Sequence, residues 1–87
     1  MKNMKNTTNM KNPVKFMNKR GGPIFIYHVY DNSYMRIDLL DSSESSLHNI
    51  PYHSHIVIKD VILINDDIIP SETIIEMKLN KNHICIN

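Results

Sequence analysis

The sequence predicts a mainly β protein: a small five-stranded, strongly bent antiparallel sheet or barrel, preceded by a short N-terminal helix. Three observations predict it. The stretch His53 to Ile64 is dense in Ile and Val, whose branched side chains crowd a helical turn and pack well on a pleated surface. Other segments alternate apolar side chains at period two, as half-buried strands do. Between them lie Asp31-Asn32-Ser33, Asn65-Asp66-Asp67 and Asn80-Lys81-Asn82, which are turn sequences because Asn and Asp tolerate left-handed backbone and bond their own main chain. A chain of 87 residues allows one small domain.

In chain order, Met1 to Asn12 repeats Met-Lys-Asn three times without a hydrophobic face and is expected to be a disordered basic arm, with the folded domain spanning 13–87. Asn12-Pro13 has the form of a helix start, with Asn as N-cap and Pro at the first helical position. Val14, Phe16 and Met17 would supply its apolar face, and Gly21-Gly22-Pro23 its end. Ile24 to Tyr30 and Tyr34 to Leu40 are expected to pair as a hairpin. Asp41 to Ser46 is a loop by composition, and Pro51 argues against a central strand over Leu47 to Tyr52.

The third strand runs from about His53 to Asn65. Ile56, Ile58, Ile62 and Ile64 point to one side and Val57, Val61 and Leu63 to the other, so both faces are apolar. Such a strand is buried on both sides, or buried on one and offered to partners on the other. It is long for a strand, and Lys59-Asp60 marks an expected bend. Pro70-Ser71 is expected to be a further turn, Thr73 to Leu79 the fourth strand, and His83 to Ile86 a short fifth.

The formal charge is +1 but unevenly placed. Met1 to Gly22 carries six cations and no acid; the remainder carries nine acids against Arg36, Lys59, Lys78 and Lys81. A basic end on a mildly acidic domain points to an anionic partner. The single cysteine, Cys85, cannot close an internal disulfide, which favours a reducing compartment, nuclear or cytoplasmic, over secretion. No apolar run approaches the roughly 20 residues that span a bilayer, and no apolar segment follows the basic start as in a secretory signal. No membrane association is expected.

The chemistry-bearing residues are sparse. No glycine-rich phosphate loop, nucleophile elbow or zincin motif is present. Asp38, Asp41, Glu44 and Asp60 have no spacing that specifies a reaction, so no enzyme activity, catalytic residue or cofactor is expected. His53 and His55 flank Ser54. On a strand they would share a face and make a workable metal pair, with His28, His48, His83 or Cys85 as a third ligand. The spacing selects none of these, and no metal is assigned. The other reading is a pair of imidazoles that stack on bases and hydrogen-bond them. Tyr27, Tyr30, Tyr34 and Tyr52 are the aromatic candidates for stacking.

A short helix beginning at Pro13, followed by five strands, resembles the Sm/LSm family of ring-forming RNA-binding proteins. His53-Ser54-His55-Ile56-Val57-Ile58-Lys59-Asp60-Val61 resembles the second half of that family's first motif, with His55 where the family has Asn and His53 at its base-stacking position. Glu76 to Ile86 resembles the second motif in shape, with Asn80 in place of Arg and Lys81 in place of Gly.

The resemblance implies a non-catalytic RNA-binding subunit of a ring-shaped ribonucleoprotein, in pre-mRNA splicing or RNA processing. Single-stranded RNA would be held by His53, His55, Asn80 and Lys81. Other small Sm-like subunits would join by strand-edge pairing through Ile75, Met77, Ile84 and Ile86. Two further readings stay open: a small β-barrel ribosomal protein whose basic arm lies on RNA, and a viral or adaptor module that docks a partner on an exposed strand edge.

Overall fold

The computed structural model describes residues 12–87. The expected disordered arm, Met1 to Asn12, lies outside the described residues except for Asn12. Seven strands follow in order: β1 (Asn12–Asn18), β2 (Ile24–Tyr30), β3 (Ser33–Leu40), β4 (Ser45–Ile50), β5 (His55–Ile64), β6 (Asp67–Lys78) and β7 (His83–Ile86). They form two sheets, β4-β1-β7 and β3-β2-β5-β6. All neighbouring pairs are antiparallel except β1 with β7, which run parallel.

The mainly β class is as expected, but its details are corrected. There are seven strands rather than five, in two sheets rather than one bent sheet or closed barrel, and no helix among the described residues.

The expected helix at Pro13 is β1, for a physical reason. Val14, Phe16 and Asn18 are fully buried and alternate with the less buried Pro13, Lys15 and Met17. That is period two. β1 also lies between β4 and β7, so its backbone groups are paired on both sides, which no local helix preference offsets. The Ser45–Ile50 strand was hidden by an inverted pattern: Leu47 faces solvent while Ser46 and His48 are half-buried. Pro51 ends this strand instead of interrupting it. Pro70 also sits inside a strand, opposite Val61 on the outer strand β6, just past register shifts opposite Lys59 in which the extra residues belong to β6. Outer strands and bulges are where a missing N–H is tolerated.

The two sheets enclose one core: Val14 and Phe16 from β1, Ile24 and Ile26 from β2, Ile56 and Ile58 from β5, and Ile84 and Ile86 from β7, with Leu40, Ile50 and Leu79. The larger sheet carries a second apolar layer on its outer side, Phe25, Tyr27 and Val57 with Val29 and Val61 against them. This explains why the residues of β2 from Ile24 to His28 are all buried. Two hairpins turn on residues with positive φ, Asp31-Asn32 and Asn65-Asp66, the two-residue turns whose twist matches the flanking strands.

Polar contacts tie the layers. Arg20 makes a two-pronged pair with Asp60 at 3.0 and 3.1 Å. Between the sheets, the His48 ring on β4 lies 2.7 Å from the Asp38 carboxylate on β3. Burial acts to raise the Asp38 pKa, but the Ser46 hydroxyl, the His48 ring and the Leu39 N–H together hold it below the ordinary aspartate value.

A carboxyl whose folded pKa is depressed adds stability above its unfolded pKa, and that stability is lost as pH falls through the folded value. Thermal melts of the wild type and Asp38→Asn are therefore expected to differ at neutral pH and to converge below the ordinary aspartate range. A difference independent of pH would mean that the carboxylate charge plays no part.

Candidate nucleic-acid interface

At one end of the larger sheet, the β2–β3 turn, the loop from Pro51 to Ser54 and the adjoining ends of β5 and β6 enclose an open cleft of about 500 Å³. Its lining includes His28, Tyr30, Tyr52, His53, His55 and Lys78. The loop is pinned on both sides. The Ser54 hydroxyl donates to the Pro51 carbonyl at 2.6 Å, the His53 N–H to the Leu79 carbonyl at 2.7 Å, and the Leu79 N–H to the Ser54 carbonyl at 2.9 Å. Leu79 is fully buried, so the loop is anchored to the core through its backbone.

His53 is not on a strand. It sits in the loop with φ of 68°, so the expected alternation that would have placed it and His55 on one strand face does not apply; the loop brings them to the same cleft instead. The His55 ring lies 2.6 Å from the Glu76 carboxylate on β6. The buried His28 ring stacks on Tyr30 with centroids 4.1 Å apart, and burial lowers the His28 pKa, which favours a neutral imidazole. Tyr30 and Tyr52 are about half exposed, and the Tyr52 ring stands edge-on to His53. Lys78 is an exposed cation at the end of β6.

Asn80 and Lys81 are exposed in the β6–β7 connection and are not among the cleft-lining residues. They follow Leu79, which bonds the His53 loop, and precede Asn82, whose carbonyl accepts from Lys15 N–H. Of the residues expected at subunit interfaces, Ile84 and Ile86 are buried in the chain's own core, and Ile75 and Met77 are half-buried against it. Cys85 is exposed on β7, 3.9 Å from the His83 ring. Among the described residues no three His, Cys, Asp or Glu side chains are grouped to hold a metal.

The cation at the cleft, Lys78, is not among the residues expected to hold RNA. Away from the cleft, the Arg36 guanidinium stands 3.9 Å over the Phe25 ring. The Lys59 ammonium lies within 6 Å of the Tyr27 and Tyr34 rings. Their signal was positional: Tyr34 and Arg36 share a strand face at i and i+2.

No protein-family model, curated protein or solved structure matches the chain.

Proposed function

We propose that the chain is a non-catalytic RNA-binding module that seats unstacked bases of single-stranded RNA in the His53–His55 cleft. One observation carries the reading: His53 and His55 share an open cleft with the half-exposed Tyr30 and Tyr52 and with Lys78. Aromatic faces stack bases, and imidazoles and tyrosine hydroxyls bond base edges. Lys78 supplies a cation at the rim for phosphate. A volume of about 500 Å³ is within the range of small-ligand sites and accommodates one or two bases. Strand-edge assembly draws support from topology, since β6 and β7 are each the outermost strand of their sheet.

The test is fluorescence anisotropy with a labelled single-stranded RNA of mixed sequence, titrated at several salt concentrations. Stacking on aromatic side chains is worth about 1–3 kcal/mol per base. Tyr52→Ala and Tyr30→Ala are therefore each expected to weaken binding by roughly 5- to 150-fold. Lys78→Ala is expected to reduce the salt slope by about one ion. Absence of binding at low salt, or equal affinity of the wild type and both tyrosine variants, would remove the reading.

A further inference from the structure

The β5–β6 ribbon outruns its own sheet. Pairing of β5 with β2 ends at Asp60 opposite Ile24, whereas pairing of β5 with β6 continues through Val61–Pro70, Ile62–Ile69, Leu63–Ile68 and Ile64–Asp67. Apart from its turn, every side chain of this ribbon from Val61 to Pro70 is apolar except that of Asp67. Direct cross-strand pairing places Val61, Leu63, Ile68 and Pro70 on one face and Ile62, Ile64 and Ile69 on the other. Leu63 is 71% exposed, and Ile62, Ile64 and Ile68 are between 42% and 49% exposed. A two-stranded ribbon alone is marginal in water, and one this apolar loses free energy for as long as its faces stay wet.

Charge identifies what covers it. The ribbon's only charges are Asp66 and Asp67 at its tip. At its root, on the face that carries Val61 and Leu63, lie Lys59 and Arg36 over the rings of Tyr27, Tyr34 and Phe25. Among the described residues, acid tip and basic root stand at opposite ends of one ribbon, so they cannot meet each other within a copy but complement each other between two copies. Along the ribbon, Asp66 stands two residues beyond the Leu63–Ile68 pair and Lys59 four residues before it. A two-fold axis at Leu63 thus brings one copy's tip to within about two residues' rise of the other's root, about 7 Å, a gap that the long Lys59 and Arg36 side chains span.

We infer that two copies of this chain pack ribbon on ribbon about such an axis. The Leu63–Ile68 faces meet, and each copy's Asp66, in the turn at the ribbon tip, reaches the other copy's Lys59 and Arg36; Asp67 lies with Ile64 on the opposite face. Two-fold contacts are the commonest closed form of self-association. The covered area falls at the low end of specific interfaces, below about 1,200 Å², and dimerisation is expected between low and high micromolar concentration. The cleft is at the far end of the same strands and stays open in the dimer.

Sedimentation velocity of the full chain without RNA, from low to high micromolar, tests this separately from RNA binding. The wild type is expected to pass from monomer to dimer. Leu63→Lys and Ile68→Lys are each expected to abolish the dimer while leaving the melting temperature and RNA anisotropy of the monomer unchanged. Asp66→Lys is expected to weaken the dimer about tenfold, and adding Lys59→Asp to restore it, since opposite charges across an interface set partner choice. A wild type that stays monomeric throughout, or a dimer that persists in both lysine variants, overturns the inference. An assembly larger than a dimer that is lost in those variants also overturns it, replacing the two-fold contact with a head-to-tail one.

Discussion

Phe16→Ala is expected to lower the unfolding free energy by about 3–5 kcal/mol, a large share of the roughly 5–15 kcal/mol that a domain of this size has. Phe16 has no exposed surface. It sits on the central strand of the smaller sheet, opposite Ser46 on β4 and Ile84 on β7, with the His48 ring edge-on at 5.9 Å. Removing the ring leaves a cavity where both sheets meet, and strands paired on both sides cannot collapse to fill it. Lys15→Ala, on the outer side of the same strand, is expected to change stability by no more than about 0.5 kcal/mol. Urea unfolding of both variants reads the contrast directly. Comparable small losses would mean that Asn12–Asn18 is a dispensable segment, as a short helix laid on the surface would be.

The contrast between neighbours on β1 also shows what the sequence made legible. Where a strand obeys one rule, the reading succeeded: Ile24 to Tyr30, its hairpin with β3 and the short His83–Ile86 strand all have clear alternation or turn chemistry. It failed where two rules conflicted. Asn12-Pro13 is a good helix start locally, but Val14, Phe16 and Asn18 are wanted by the core, and tertiary pairing overrode the cap.

The same limit applied elsewhere. Leu47 outside and His48 inside invert the usual pattern because His48 has Asp38 to meet on the other sheet. Pro70 read as a turn because a strand's edge position is a property of topology, not of spacing. The cleft was half legible. His53, His55, Tyr30 and Tyr52 were identifiable by type, whereas their convergence depends on Leu79 holding the Pro51–Ser54 loop, a contact separated by some 25 positions in the chain. The ribbon's two-sided apolar pattern was plain in the sequence. That its outer half has no neighbouring strand on the β2 side among the described residues follows from β2, which begins at Ile24 opposite Asp60.

Asn18 is the second position where a single change should be felt throughout the molecule. Its side chain is fully buried and satisfied at both ends: the amide donates to the Gly22 and Leu40 carbonyls at 2.9 and 3.0 Å, and the side-chain oxygen accepts from the Arg20 N–H at 2.9 Å. Asn18→Leu conserves volume but strands those groups, at a cost of about 1–3 kcal/mol for each one left dry. A total loss of about 2–5 kcal/mol is expected once water reaches some of them.

Asn18→Asp separates hydrogen bonding from packing. The carboxylate can still accept from Arg20 N–H but faces two carbonyl oxygens with no proton to offer. Its folded pKa must therefore rise above the unfolded value, and a carboxyl raised in this way makes the variant more stable as pH falls, opposite in sign to Asp38. Unfolding of Asn18→Asp between neutral and mildly acid pH is expected to show that recovery; a flat profile would mean that the side chain only fills space. Arg20, which Asn18 positions, holds Asp60 at the root of the ribbon. Asn18 variants that remain folded should accordingly lose dimer affinity while the cleft, at the other end of β2 and β5, keeps its affinity for RNA.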